Sequence, residues 1–231
     1  MAAMICMVIG VFLSGCAPSE TSAANEEQQS YLLYQGHGSI RIVTKEGRAV
    51  YIDPYSGSGY DLPADLILIT HAHTDHNRIK KITSRNKGCR VITQAEALKD
   101  GEHQTFELGY ARIQAVEAGY NPMHSVKECV GYVITLSDGI SIYISGDTST
   151  TEQMSELAEM EINYAFFCCD GHFNMGPGEA AQCAKLVNAE NNIPYHTKAS
   201  RDDPDFDMQR AEEFEAENRL ILEMGQQIAL E

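Results

Sequence analysis

Asp65-Leu66-Ile67-Leu68-Ile69-Thr70-His71-Ala72-His73-Thr74-Asp75-His76 is the stretch on which the reading of this chain turns. Its first half is an apolar run between polar residues, the pattern of a buried strand. Three histidines and an aspartate follow at once. Alternation along an extended segment points His71 and His73 to one side, and a turn at Asp75-His76 brings two more donors toward the same cavity. Imidazole and carboxylate donors suit zinc, and also iron or manganese.

Outward from that stretch, β-branched and aromatic runs at 31–34, 40–44, 49–52 and 66–70 read as strands. Residues 77–86 carry Ile79 and Ile82 at helical spacing. Further strands are expected at 91–93, 103–108, 111–117, 130–136 and 140–144. The later part alternates, with helices at 154–159, 178–188 and 207–217 and strands at 162–169, 192–195, 220–223 and 227–230. Such an α/β order predicts two sheets packed face to face with helices outside.

Four more motifs stand along the chain: Gly36-His37-Gly38-Ser39, Tyr51-Ile52-Asp53-Pro54, Asn121-Pro122-Met123-His124 and Ser145-Gly146-Asp147-Thr148. With the histidine cluster, their order resembles the metallo-β-lactamase superfamily from about residue 31 to 231. A Gly-His turn at Gly36-His37 and Pro194-Tyr195-His196 near the end make it most similar to hydrolases of the L-ascorbate-6-phosphate lactonase type. The resemblance implies an αββα sandwich and two divalent metal ions, zinc in the first instance, with manganese or iron as alternatives. One ion would be held by His71, His73 and His124, the other by Asp75, His76 and His196, with Asp147 bridging. It further implies hydrolysis of a lactone, phosphodiester or other ester by a hydroxide formed from a water shared between the ions, which Asp75 orients or whose proton it takes. The diiron members of the superfamily typically carry Glu where this chain has His73, so iron-dependent oxidation is the less favoured alternative. A noncatalytic metal-binding lipoprotein is another.

Three histidines remain. His37, in a glycine-rich turn, is a candidate for polarising substrate or supporting a ligand, or else makes a structural hydrogen bond. His172 lies in a loop expected to border the site, and His103 is expected to be solvated.

The formal charge of −16 disfavours a nucleic-acid partner. A basic run departs from it: Arg78, Lys80, Lys81, Arg85, Lys87 and Arg90 read as a solvated helix face or as a surface attracting an anionic small-molecule substrate or lipid headgroups. The acid-rich segment 201–231 reads as a solvated helix face and tail. Residues 1–15 lack charge, and their apolar run is too short to span a bilayer as a helix. They end in Leu13-Ser14-Gly15-Cys16, which resembles a bacterial lipobox, although no Lys or Arg precedes the run. The expectation is a signal peptide over 1–15, lipidation at Cys16, a flexible tether over 16–30 and a catalytic domain over 31–231. The protein would then sit on the cell membrane, lipid-anchored and extracytoplasmic. Five cysteines would remain, and no disulfide framework is expected from an odd number.

Overall fold

The computed structural model describes residues 29–200 and 205–231. The expected signal peptide, Cys16 and most of the tether lie outside these residues, as does Arg201. Five strands follow one another in the first sheet: β1 (Tyr31–Gly36), β2 (Ser39–Val43), β3 (Ala49–Ile52), β4 (Ala64–Leu68) and β5 (Arg85–Ile92). After a single helical turn, α1 (Gln94–Ala97), comes a small hairpin of β6 (Leu98–Lys99) and β7 (Glu102–His103). The second sheet holds β8 (Thr105–Glu107), β9 (Ala111–Glu117), β10 (Val130–Leu136), β11 (Ser141–Ile144), β12 (Tyr164–Cys168) and β13 (Asn191–Tyr195). Helix α2 (Pro177–Val187) joins β12 to β13, and after α3 (Met208–Glu212) the strand β14 (Gln227–Ala229) returns to pair beside β1.

Period-two patterning builds the core. Leu32, Ile42, Val50 and Leu66 stand in register across the first sheet, as do Tyr34, Ile40, Ile52 and Leu68, and all face inward. The second sheet answers with rows such as Ile113–Ile134–Ile142–Tyr164. Full burial of each such Ile or Leu contributes roughly 1.5–3 kcal/mol. Cys183, Ala184 and Val187 of α2 pack into this core. Tyr51, Ile67 and Ile69, on the outer face of the first sheet, are covered differently, by Tyr60, Leu62, Ile79 and Ile82.

Several expected elements differ. In place of a helix over 77–86, the chain makes one 3-10 turn, Ile79–Lys81, and then the edge strand β5. An edge strand exposed along most of its length lacks the apolar alternation that would have revealed it. The expected helix at 154–159 is two 3-10 turns, Glu152–Ser155 and Leu157–Met160, and the one at 207–217 is cut to α3. No strand forms at 220–223. Nor is the described part of segment 201–231 merely a solvated face, because Phe214, Leu222 and Leu230 are buried.

This topology gathers loop ends in one place. Strands β3 and β4 run parallel, as do β11, β12 and β13. Asp53, His71, Asp147, Asp170 and His196 each lie within three residues of the C-terminal end of one of these strands. Side chains meeting there fit the rule that parallel strands present their sites at their carboxyl ends. Two bonds between the sheets close the same end: the Val130 N–H donates to the Thr70 carbonyl at 3.0 Å, and the His196 N–H to the His37 carbonyl at 3.1 Å.

Candidate metal centre

Asp147 is the hub. Its Oδ2 lies 3.3 Å from Nε2 of His124, 3.4 Å from that of His76, 3.5 Å from that of His196 and 3.9 Å from that of His71. His73 joins the cluster through its ring, 4.6 Å from His71 and 5.0 Å from His124 between centroids.

Three imidazoles, those of His71, His76 and His124, are turned inward by a hydrogen bond to the other nitrogen, and His196 has a carboxylate near its own. Nδ1 of His76 donates to Asp53 Oδ2 at 2.8 Å. Nδ1 of His71 lies 3.0 Å from Thr70 Oγ1, and that hydroxyl donates to the same Asp53 oxygen at 2.5 Å. Asn121 Oδ1 stands 3.1 Å from Nδ1 of His124, and Asp170 Oδ2 is 3.6 Å from Nδ1 of His196. Outer partners of this kind fix the tautomer and leave Nε2 as the available donor atom.

The donor set fits metal ions. Nε2 of His71 and of His76 and Oδ1 of Asp147 are buried without a hydrogen bond in the protein, a costly state for polar atoms with no other ligand. The donor atoms of His71, His73 and His124 lie within 4.8 Å of one another, as do those of His71, His76 and Asp147 and those of His37, His76 and His196. Nitrogen and oxygen donors at such spacings match tetrahedral or slightly larger coordination shells around ions bound at about 2.0–2.2 Å.

Charge is strongly coupled here. Burial raises the pKa of Asp147, yet His196 and His76 hold it well below the ordinary carboxylate range. Burial pulls His76 down, but Asp147 and Asp53 raise it well above its ordinary value; His196 is likewise raised against its burial by Asp147. His71 is pushed down to about 2, first by burial and then by His76. Burial also lowers His124.

His37 sits at φ +50° in the turn between β1 and β2. Its Nδ1 bonds Asp205 Oδ1 at 2.9 Å, its Nε2 points at Asp75 Oδ2 from 3.6 Å, and its ring lies 3.6 Å from that of His196. Burial raises the Asp75 carboxyl, but the His37 contact and the His76 charge bring it below its usual range. Asp75, His73, His124, Asp147 and His196 line one cavity of about 400 Å³.

The structure gathers the donor atoms of His71, His73, His76, His124, Asp147 and His196; Asp75 lines the same cavity but belongs to none of the three donor groups, and His37 completes the one that holds His76 and His196. Asp75 stands closer to His37 than the sequence suggested. Asp53, Thr70, Asn121, Asp170 and Asp205 were not among the expected site residues. Asp53 and Asn121 lay within quoted motifs, and Asp170 directly follows a strand, but nothing distinguishes Asp205 from the other acids of its segment. His172 is exposed beside Phe173 and does not line the cavity. His103 is half-buried rather than solvated, and burial lowers its pKa. None of the six basic side chains at 78–90 lines the cavity; Arg78 stacks on Tyr55, 4.7 Å from the ring centroid.

Comparison with known proteins gives the same picture. Residues 31–196 match the family model described as "Beta-lactamase superfamily domain". A UPF0173 metal-dependent hydrolase of Pyrococcus furiosus is 30% identical over 188 residues, covering 71% of this chain and 82% of the relative. One of Myxococcus xanthus is 27% identical over 208 residues, or 78% of this chain and 75% of the relative. Among solved structures, Igni18, a metallo hydrolase of Ignicoccus hospitalis, superposes with a TM-score of 0.63 at 21% identity, over 87% of this chain and 99% of its own.

Proposed function

We propose, from the premise that this chain belongs to the beta-lactamase superfamily and to its metal-dependent hydrolases, that it cleaves a lactone, phosphodiester or other ester of a small molecule. The observation that carries this reading is the convergence of four inward-turned Nε2 atoms on one oxygen of Asp147, at 3.3 to 3.9 Å. His71, His73 and His124 would hold one divalent cation and His76, Asp75 and His196 a second, with Asp147 shared and zinc the first choice. When bound, such cations supply Lewis acidity that ionises water near neutral pH and polarises the oxygen of the group attacked.

The chain's own residues do the rest. Asp75, held ionised at the cavity wall, orients the attacking water by accepting a hydrogen bond from it. His37, braced by Asp205, positions Asp75. The Gly36-His37 turn and Pro194-Tyr195-His196 support the lactonase-like branch, because the two meet: the His196 N–H donates to the His37 carbonyl and their rings lie 3.6 Å apart, tilted by 39°.

A metal-supplemented screen of lactones, phosphodiesters and β-lactams tests the reading, with Asp147→Ala and Asp75→Ala as controls. Turnover with zinc or manganese that is lost in both variants is expected. Undiminished turnover in Asp75→Ala removes its role, and oxygen consumption by an iron-loaded form would favour the oxidoreductase alternative. No turnover by any loaded form leaves a noncatalytic metal-binding protein. The reading extends to a lipid anchor on an extracytoplasmic membrane face, supported by Leu13-Ser14-Gly15-Cys16. Mass spectrometry of the membrane fraction should find a diacylated Cys16, and an unmodified Cys16 still attached to residues 1–15 would end that part.

A further inference from the structure

The mouth of the cavity is apolar in an otherwise acidic molecule. Of the six large hydrophobic side chains exposed among the described residues, four (Tyr120, Met123, Val126 and Phe173) belong to the two loops beside the metal-binding cluster. Exposed apolar groups crowded in one place mark a contact surface. Met123 is 54% exposed and Phe173 37%, and both line the 400 Å³ cavity along with Ala72 and Ala199.

Neither side chain is there by accident of a loose loop. Asn121 Oδ1 accepts from the N–H of Met123 and of His124, each at 3.0 Å, so Met123 is set by the same turn that aims His124. The Gly119 N–H ties that loop to the Asp147 carbonyl at 3.1 Å. On the other side, Asp170 Oδ1 accepts from the N–H of His172 at 2.8 Å and of Phe173 at 2.7 Å. Met123 also lines an adjoining cavity of about 280 Å³ that shares Ala72 and His73 and reaches Ala95 and Leu98. Its lining is mixed, with Ala95, Leu98 and Met123 beside Gln94, Ser125, Lys127 and Glu128.

Charge argues in the same direction. Bound cations would act on the group being cleaved, but no Lys or Arg occurs among the described residues lining the main cavity. In the adjoining one the single cation, Lys127, precedes Glu128, which lines it too. Among the described residues lining the main cavity, a negative charge carried away from the scissile bond would meet no fixed cation, whereas an apolar chain would find Met123 and Phe173 already placed.

We infer that the substrate is an uncharged lactone or ester whose acyl or aryl chain packs against Met123 and Phe173. This rests on the hydrolase reading, and it narrows that reading away from substrates that carry a charge remote from the scissile bond.

The test uses the zinc-loaded full chain with p-nitrophenyl esters from acetate to octanoate and with bis(p-nitrophenyl) phosphate. kcat/KM is expected to rise about threefold per added methylene and to exceed that for the phosphodiester. Met123→Ala and Phe173→Ala should flatten the dependence on chain length, and Met123→Leu should keep it. Indifference to chain length, or preference for the phosphodiester, overturns the inference. Binding gives a readout independent of turnover. The neutral dye N-phenyl-1-naphthylamine should bind the metal-free and loaded chain alike, at least about fivefold more weakly in Met123→Lys and Phe173→Ala. Unaltered dye binding in both variants overturns the inference as well. Absence of ester turnover with dye binding lost in the variants supports the apolar surface and counts against the hydrolase reading alone.

Discussion

Asp53 does not line the cavity, yet it governs two histidines of the metal-binding cluster, His71 and His76. It is fully buried at φ +43°, and its carboxylate takes the Nδ1–H of His76 and, through Thr70, steadies His71. Asp53→Asn is expected to lower zinc affinity about 10- to 100-fold, measured by competition with a chromophoric chelator. Unchanged affinity in a folded variant would show that the two rings hold their aim without it. A second expectation concerns protons. The raised pKa values of His76 and His196 mean that the metal-free chain favours their protonated forms, and a metal can bind only when those protons leave. Zinc uptake should therefore release protons into a weakly buffered solution near pH 7, and apparent affinity should rise with pH by about tenfold per unit for each proton expelled. Uptake without proton release would contradict the charge state described for the cluster. At this scale the sequence was informative where donors are dense. Three histidines in six residues betray a metal site; His124 and His196 are found only by their motifs, and Asp205 carries no local mark because its partner, His37, is far away in the chain.

Turns decide whether these elements can meet. In the turn between β1 and β2, a Cβ placed on Gly38 would lie 2.8 Å from Cε1 of His76. Only a hydrogen fits there. Gly38→Ala should displace the His76 ring and reduce zinc affinity and kcat/KM at least about tenfold, with overpacking costing roughly 1–3 kcal/mol of stability. Equilibrium unfolding and chelator competition on the one variant separate the effects, and a variant with wild-type affinity would mean that the ring tolerates movement. Strands with two-residue alternation or β-branched runs could be read from sequence almost to the residue, as in Ala49–Ile52, Ala111–Glu117 and Val130–Leu136. The polar edge strand Arg85–Ile92 could not, because its side chains are mostly solvent-facing and its identity comes from pairing with β4. Short helices failed for a related reason: one turn at Ile79–Lys81 shows the same spacing of isoleucines as a longer helix.

For the whole molecule, topology matters more than any single motif. Parallel strands from both sheets deliver Asp53, His71, Asp147 and His196 to one end, and the contact between His37 and His196 joins the chain's first hairpin to its thirteenth strand. The two-sheet architecture was readable from the order of elements. The reduced covering of the first sheet was not, since it is made by a loop and a 3-10 turn rather than a helix. The five described cysteines are all unpaired, four of them buried, so coordination and not disulfide bonding is the cross-link expected to stabilise this end of the fold. The most direct measurement is anomalous diffraction at the zinc absorption edge from crystals of the zinc-loaded chain. Two peaks are expected flanking Asp147, one bounded by His71, His73 and His124 and the other by His76 and His196. Peaks confined to surface residues, with those imidazoles still turned inward around an unliganded Asp147, would contradict it.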